Sequence, residues 1–314
     1  WWHSDLIHAG ARLAVVADAP SVDGVPVLVR AAPDALPAAL LQTPIADVRV
    51  VDVDGNLLPI DVERFGPGVE VRLWALLPVE AGAEVFVYGD IRGTAFFETP
   101  PPSTSTWTAY DAVYHFNAAA PMRDATGNAF DGVDLGSVAS AGVVGDGRAF
   151  AGGDVVALPT GLGQRLRSTR GSVSFFVRFD DVARSPQVAF YGSDDDSGDG
   201  FGPDRELHLA LAPLTEAPFD LYIEDGDGDG TDRLEATGAV AGVSGVDVHL
   251  AGSWDTSGGS TTARLIVDGV EAARDVEVAA DYACAGALLL GGPVSPPDTS
   301  RDLVGRLDEV RVSQ

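Results

Sequence analysis

The stretch SVSFFVRF, residues 172–179, decides the fold class because apolar and polar side chains alternate along most of its length. The apolar positions lie two residues apart: Val173, Phe175, Val177 and Phe179. Side chains with this spacing share one face of an extended chain, whereas a helix repeats about every 3.6 residues. The stretch therefore predicts a β-strand with one buried face, which needs a second layer to cover it.

Strand signals of this kind fill the chain, and helical periodicity is almost absent. Valine-rich segments separated by Gly, Pro and Asp clusters are typical of short strands joined by turns. In the first part of the chain these segments are RLAVVA, VPVLVR, VRVVDV, LLPIDVERF, VEVRLWALL and EVFVYG. Many short strands with regular turn signals predict an all-β protein with two β-sandwich domains, the second of them a jelly roll.

Local features are also predicted along these strands. The segment APDALPAALLQ, residues 32–42, is expected to form a loop or a single helical turn because Pro37 interrupts it. Asp54-Gly55 and Asp268-Gly269 are dipeptides that tight hairpin turns prefer, because both central residues need a positive φ. The apolar phase of the last strand slips at Asp308–Glu309, which predicts a β-bulge there.

The segment ETPPPSTSTW, residues 98–107, marks the expected domain boundary. Three prolines followed by alternating serine and threonine are typical of a stiff, solvated spacer. We therefore predict a β-sandwich module at residues 1–97, a linker at 98–108 and a jelly roll at 109–314.

The chain is strongly acidic, with 47 Asp and Glu against 20 basic residues, all of them arginine, and a formal net charge of −27. A surface of this sign repels nucleic-acid phosphates and anionic lipid headgroups, so we expect neither as a partner. No apolar run approaches the roughly 20 residues of a transmembrane helix, which predicts no direct membrane insertion within this chain. The absence of lysine fits either a GC-rich genome or adaptation to salt, and composition does not separate the two.

The acidic stretch IEDGDGDGTDR, residues 223–233, is the sharpest chemical signal in the sequence. Ca²⁺ prefers six to eight oxygen ligands, and glycines between alternate aspartates let the backbone curl so that carboxylates converge. The stretch predicts a calcium site with four ligands: Asp225, Asp227, Asp229 and Asp232. A helix–loop–helix site is excluded because its twelfth position is Ala236 and the flanks read as strands. The alternative, an acidic hairpin tip without a defined cage, stays open.

A second acidic loop, GSDDDSGDGFGPD at residues 192–204, contains candidate ligand-binding residues. Saccharide sites combine aromatic faces with polar side chains that bind hydroxyl groups. The candidates near loops are Phe201, Tyr191, Asp194 and Asp196, with Trp107 as a further aromatic. Trp254, in contrast, is expected to pack in the core because VHLAGSWD reads as a strand.

We expect no catalytic site. Many glycosidases use two paired carboxylates, and no Glu-x-Asp-x-x-Glu run, which would set such a pair on one strand face, occurs in the sequence. Asp61 and Glu63 share a strand face, but paired acids on a solvated face are the commoner explanation. The five histidines are scattered and show no zinc-ligand spacing.

The second domain resembles the laminin-G-like, concanavalin-A-like lectin/glucanase superfamily. The segments that carry the resemblance are AYDAVYHFN (109–117), DATGNAFDG (124–132), GRAFAGGDVVALP (147–159), GSVSFFVRF (171–179), VDVHLAGSWD (246–255), ARLIVDGVEAA (263–273) and GRLDEVRVS (305–313). The resemblance implies a concanavalin-A-like jelly roll of two antiparallel sheets whose first and last strands pair. It also implies frequent calcium binding.

The first domain is similar to a bacterial envelope-protein module of unknown function, on the segments WWHSD, VPVLVR, VRVVDVDGNLLPIDVERFGPG and VFVYGD. Together the two resemblances imply an extracellular, cell-surface or periplasmic bacterial protein. The function expected is non-catalytic binding or adhesion, with carbohydrate or glycoconjugate recognised beside calcium-stabilised loops. The alternative is a structural or protein-interaction ectodomain that contacts another envelope protein, such as a surface filament subunit or the sensor head of a biopolymer-transport proton channel.

Overall fold

The computed structural model describes residues 8–14, 25–77, 84–90, 101–117, 120–166, 170–184, 187–193, 205–211, 219–225, 233–236, 244–257, 260–278, 288–292 and 301–314. The chain forms two compact units. Unit 1 comprises Trp1–Ala109 and Ala125–Gly127, and unit 2 comprises Tyr110–Asp124 and Asn128–Gln314. The predicted boundaries of the module, linker and jelly roll stay predictions.

Unit 1 is a small sandwich of two antiparallel three-stranded sheets, in the orders β1-β6-β3 and β2-β5-β4, within the described ranges. Its strands are β1 (His8–Ala14), β2 (Val27–Ala31), β3 (Val48–Val51), β4 (Ile60–Arg64), β5 (Val71–Ala75) and β6 (Glu84–Asp90). Alternate valines of these strands, with Leu40 and Leu73, form one buried core. The segment predicted as a loop or single turn contains one helical turn, α1 (Ala38–Leu41), which begins after Pro37 and confirms that prediction.

The turn at Asp54-Gly55 closes a short hairpin as expected: Val51 and Leu57 form an antiparallel bridge, and the Leu58 N–H donates to the Val50 carbonyl at 2.9 Å. Beyond it the two flanking strands separate. Gly55 has a φ of 85°, and its N–H donates to the Asp52 carbonyl at 3.1 Å. β3 then pairs with β6, while β4 pairs with β5 in the other sheet. The turn therefore passes the chain from one layer to the other, and only Gly55 of the dipeptide needs a positive φ.

The predicted linker departs from a solvated spacer at its C-terminal end. Ser103–Trp107 forms a short 3₁₀ helix, and Trp107 is fully buried within unit 1. Its Nε1–H donates to Asp61 Oδ2 at 2.8 Å, and its ring meets that of Trp74 edge to face at 5.5 Å. Trp107 is thus a structural residue, and the interpretation of its ring as a sugar-facing aromatic is wrong.

Unit 2 is a larger sandwich of two antiparallel sheets. Its strands are β7 (Ala112–Tyr114), β8 (Val133–Leu135), β9 (Val138–Ala141), β10 (Asp146–Ala151), β11 (Val155–Leu158), β12 (Arg170–Phe179), β13 (Gln187–Ser193), β14 (Arg205–Leu211), β15 (Phe219–Asp225), β16 (Arg233–Ala236), β17 (Asp247–Ser257), β18 (Ser260–Val267), β19 (Val270–Val278), β20 (Leu288–Leu290) and β21 (Val304–Ser313). One sheet runs β19-β18-β17-β12-β21-β10-β9, with β7 also paired to β21, and the other runs β16-β15-β14-β13-β20-β11-β8. A short helix, α2 (Thr160–Arg165), lies between β11 and β12 in the chain.

The core of unit 2 confirms the alternation that predicted it. The inward side chains of β12 are buried, namely Val173, Phe175, Val177 and Phe179, and Trp254 joins them. The first and last strands of the unit pair, with Tyr114 opposite Val310. The all-β, two-sandwich fold class is therefore confirmed.

Two further local predictions are confirmed in unit 2. Asp268 and Gly269 have φ values of 50° and 78° and join β18 to β19 in a tight hairpin. The register between β12 and β21 shifts beside Glu309, which has a φ of 52°, so the bulge lies where the sequence predicts it. A positive φ at a non-glycine residue in a strand is uncommon and requires support from the surrounding contacts.

Candidate cation and ligand site

The strand register of the seven-stranded sheet brings the two acidic connections of unit 2 to the same end. Ser193, at the end of β13, pairs with Glu206 near the start of β14. At that same end Arg205 lies opposite Asp225, where β15 finishes. β16 starts there too, because Arg233 pairs with Tyr222. The strand ends that flank residues 194–204 and 226–232 therefore lie on neighbouring strands at one end of the sheet.

These connections are the most acidic part of the molecule. Residues 194–204 contain five aspartates and residues 226–232 contain three. Asp225 is the predicted metal ligand whose backbone is described, as the last residue of β15. The other predicted metal ligands, Asp227, Asp229 and Asp232, lie outside the described residues. So do three of the candidate ligand-binding residues: Asp194, Asp196 and Phe201. Carboxylate oxygens are the donors that Ca²⁺ prefers, so the chemistry of this set fits that ion, and the site stays a prediction.

Tyr191 is buried, whereas an aromatic side chain that stacks on a sugar exposes one ring face. It is only 5% exposed and packs in a small cluster with Val188, Ala210 and Leu289, apart from the main core. Sequence reasoning missed this because alternation gives a strand two faces but does not show that both are covered. The ligand role of Tyr191 stays a prediction.

The outer face of the eight-stranded sheet carries an aromatic contact that sequence reasoning overlooked. Phe176 lies opposite His249 in the register, and the two rings meet edge to face with centroids 5.1 Å apart. Burial lowers the pKa of His249, the Arg311 guanidinium lowers it further, and Asp268 opposes both. The imidazole is therefore held neutral to a lower pH than an exposed histidine. The signal was available, since Phe176 is the one aromatic on the polar side of SVSFFVRF.

A buried ionic group supports the bulge in β21. Glu309 is only 2% exposed; one carboxylate oxygen lies 2.8 Å from His115 Nδ1, and the other accepts from Arg311 at 3.1 Å. Burial alone would raise the pKa of Glu309, but His115 and Arg311 outweigh it and hold the pKa below its ordinary value. The arrangement fixes the carboxylate as an anion and joins β7 to β21, which is a structural role.

Of the paired carboxylates of unit 1, Asp61 and Glu63, the first has a structural role. Asp61 accepts the hydrogen bond of the buried Trp107 indole, so its carboxylate anchors the 3₁₀ helix. Glu63 is half-buried on the same strand.

None of the helices in the described ranges is long and apolar enough to cross a membrane.

Comparison with known proteins identifies the fold of unit 2. A family model for the concanavalin A-like lectin/glucanases superfamily matches residues 150–314, which confirms the resemblance over that range. No curated protein matches the sequence.

Several solved structures are similar at low identity. Domain 4 of AbnA, a GH43 extracellular arabinanase from Geobacillus stearothermophilus in complex with arabinotriose, is 20% identical with a TM-score of 0.49, over 65% of this chain and 92% of that chain. Domains LG4-5 of the mouse laminin α1 chain are 16% identical with a TM-score of 0.40, over 58% of this chain and 45% of that chain. The carbohydrate-binding module CBM66 from Bacillus subtilis is 7% identical with a TM-score of 0.31, over 58% and 95% of the two chains.

Proposed function

Because the chain belongs to the concanavalin A-like lectin/glucanases superfamily, we propose that unit 2 is a non-catalytic module that binds carbohydrate or glycoconjugate. The superfamily includes both lectins and glucanases, so the fold alone does not separate binding from hydrolysis. Binding is favoured because the paired-carboxylate spacing of glycosidases is absent from the sequence. In this proposal the protein works outside the bacterial cytoplasm, and unit 1 is the envelope-protein module that its segments resemble.

The observation that supports the proposal is the register of β13 to β16, which brings the strand ends that flank both acidic connections to one end of a sheet. Closely spaced carboxylates repel one another unless a cation intervenes. Ca²⁺ held by Asp225, Asp227, Asp229 and Asp232 would order these loops for a sugar. Aspartate oxygens would supply polar contacts, and Phe201 would supply an aromatic face.

A glycan array with the whole chain tests this proposal. We expect binding to at least one glycan class in Ca²⁺, and loss of that binding in a chelator. The variant Asp227→Asn/Asp229→Asn should lose it as well. The matched control, Asp34→Asn/Asp255→Asn, removes two exposed carboxylates elsewhere and should keep it. Silence across a diverse array in both buffers would refute the proposal.

One observation favours a second function, contact with another protein. Three branched aliphatic side chains are more than half exposed on β8 and β9: Val133, Leu135 and Val138. These strands end the two sheets of unit 2 within the described ranges, and unpaired edges are templates for strand addition. A second copy of the chain is the simplest occupant. Light scattering should then show a dimer that Val138→Glu dissociates, whereas a monomer at high concentration would exclude self-association through this edge.

A further inference from the structure

Unit 1 contains an open groove of about 500 Å³ that the proposed function does not use. It lies between the turn after β3 and the middle of β6, and seven residues line it: Val51, Asp52, Val53, Asp54, Gly55, Phe86 and Tyr88. Its volume falls within the range of small-molecule sites, about 300–1,000 Å³. The groove is therefore large enough for a small ligand or for one unit of a larger ligand.

Two aromatic residues of β6 line the groove, but one of them is already engaged. Phe86 and Tyr88 lie on the face of the strand away from the core, because Val87 between them is fully buried. The Phe86 ring meets the Tyr88 ring with centroids 6.5 Å apart and an interplanar angle of 23°. Phe86 has a further contact as well, and Arg12 lies opposite it in the register of β1 and β6. We therefore assign Phe86 no part in binding.

Tyr88 is the aromatic residue that can contact a ligand. The residue opposite it on β1 is Gly10, which has no side chain to cover the ring. Opposite it on β3 is Arg49, whose guanidinium donates to the carbonyls of Ala46 and Val48 at 2.7 and 2.9 Å. Within the described ranges the Tyr88 hydroxyl has no hydrogen-bond partner. Burial raises the pKa of this hydroxyl, so it keeps its proton at neutral pH and can donate.

The opposite wall is a turn that presents hydrogen-bond acceptors. Asp52 accepts from the N–H groups of Asp54 and Asn56 and from the Asn56 side-chain amide, which fixes the shape of the turn. Burial opposes ionisation of Asp52, but these bonds outweigh it and lower its pKa. Asp54 is exposed at the groove, and in the described part of the chain its carboxylate has no partner. Val53, which is 63% exposed, adds apolar surface between the two acids.

The charges around the groove select a neutral ligand. Asp52 and Asp54 lie in a chain of net charge −27, so an anion is repelled. Arg12 shares a face of the sheet with Phe86, because the two are paired, and its positive charge disfavours a bound cation. A neutral sugar avoids both penalties. Its hydroxyls donate to carboxylates and accept from a tyrosine hydroxyl, and its C–H groups pack on an aromatic ring.

We propose that this groove is a carbohydrate site of unit 1 that binds one neutral sugar unit without calcium. The sugar would pack against Tyr88 and Val53, and its hydroxyls would donate to the Asp54 carboxylate. Calcium is not needed, because the Asp52 oxygens are occupied by the turn and Ca²⁺ requires six to eight oxygen ligands. This site is independent of the acidic end of unit 2 and of its proposed sugar.

Saturation-transfer NMR on the whole chain tests this site, with methyl glucoside, methyl galactoside and methyl mannoside as the probes. The measurement is made in a chelator, so that calcium-dependent binding does not contribute. We expect at least one probe to bind with a Kd of about 1 mM, the strength that a single sugar unit allows. The uronate of that sugar, with a carboxylate in place of the hydroxymethyl group, should bind at least about threefold more weakly because the acids repel it.

Variants on both walls locate the site. Tyr88→Ala should weaken binding at least about tenfold, and Asp54→Ala about three- to tenfold. Tyr88→Phe, which keeps the ring, should weaken it less than Tyr88→Ala and replaces that variant if it fails to fold. Asp34→Ala, which removes an exposed acid outside the groove, should leave binding unchanged.

The chelator separates this proposal from that for unit 2. Groove binding should persist in the chelator and in Asp227→Asn/Asp229→Asn, whereas the calcium-dependent binding expected of unit 2 should be lost in both. No binding of any probe in the chelator, equal or tighter binding of the uronate, or unchanged binding in the variants of Tyr88 and Asp54 would each overturn the groove site.

Discussion

β12 in unit 2 and β6 in unit 1 follow the same alternation, yet their outward faces differ. On β12 the outward groups find partners within the sheet: Ser172 hydrogen-bonds Ser313 at 2.7 Å, and Phe176 packs on His249. On β6 the outward aromatics, Phe86 and Tyr88, line an open groove beside acidic residues. Alternation therefore identifies the core in both strands, but it does not show what the outward side chains contact.

The largest expected loss of stability comes from truncating an inward side chain of β12, compared with truncating its outward neighbour. Phe175 is fully buried and Phe176 is half-buried. We expect Phe175→Ala to lower the free energy of unfolding by about 4 kcal/mol, because it leaves a cavity in the core. Phe176→Ala should cost about 1 kcal/mol, mainly the contact with His249. Urea unfolding measures both, and equal losses would contradict the assignment of inner and outer faces.

Adding a methyl group at Gly305 should lower the free energy of unfolding slightly less than Phe175→Ala does. A Cβ there would overlap the carbonyl oxygen of Arg178, because β21 and β12 approach closely at this pair. We expect Gly305→Ala to destabilise by about 3 kcal/mol, the upper end for overpacking, since the obstacle is backbone. Gly127→Ala is the control, because a Cβ at Gly127 meets no atom within 4 Å. Unfolding curves that coincide for the two variants would disprove the close approach.

The buried carboxylate of β21 predicts a pH dependence. The folded-state pKa of Glu309 is lowered, so its contribution is complete above the unfolded pKa of about 4.3 and is lost as the pH falls through the folded value. We expect Glu309→Gln to destabilise by about 2 kcal/mol at pH 7, the range of a hydrogen bond to a charged group.

The difference between the wild type and Glu309→Gln should shrink as the pH falls below about 4.3, because protonation removes the same charge. Chemical unfolding at a series of pH values measures this difference. A difference that stays constant from pH 7 to the acid limit of folding would show that Glu309 contributes no charge-dependent stability.

Features encoded by local spacing were predictable from the sequence. The buried face of SVSFFVRF, the Asp268-Gly269 hairpin and the bulge at Glu309 all follow from the pattern of neighbouring residues. The short Asp54-Gly55 hairpin was predictable as well, but the pairing of β3 with β6 and of β4 with β5 was not, because it depends on distant residues. The same limit applies to Trp107, whose hydrogen-bond partner Asp61 lies 46 positions away.

The candidate sites show the same limit. The acidic composition of the two loops was visible in the sequence, whereas their arrival at one end of a sheet required the register of four strands. The groove at Phe86 and Tyr88 gave no sequence signal, because EVFVYG reads like every other strand. The rest of its lining comes from a turn at residues 51–55, at least 31 positions earlier in the chain.

Calcium titration into the calcium-free whole chain tests the central claim most directly, that the paired acidic loops of unit 2 form a defined cation site. We expect saturable heat with a stoichiometry of about one and a Kd of about 10⁻⁴ M, at the tight end of the range of extracellular calcium modules. The heat should disappear in Asp227→Asn/Asp229→Asn and persist in Asp34→Asn/Asp255→Asn. No saturable heat in the wild type, or equal heat in both variants, would contradict it.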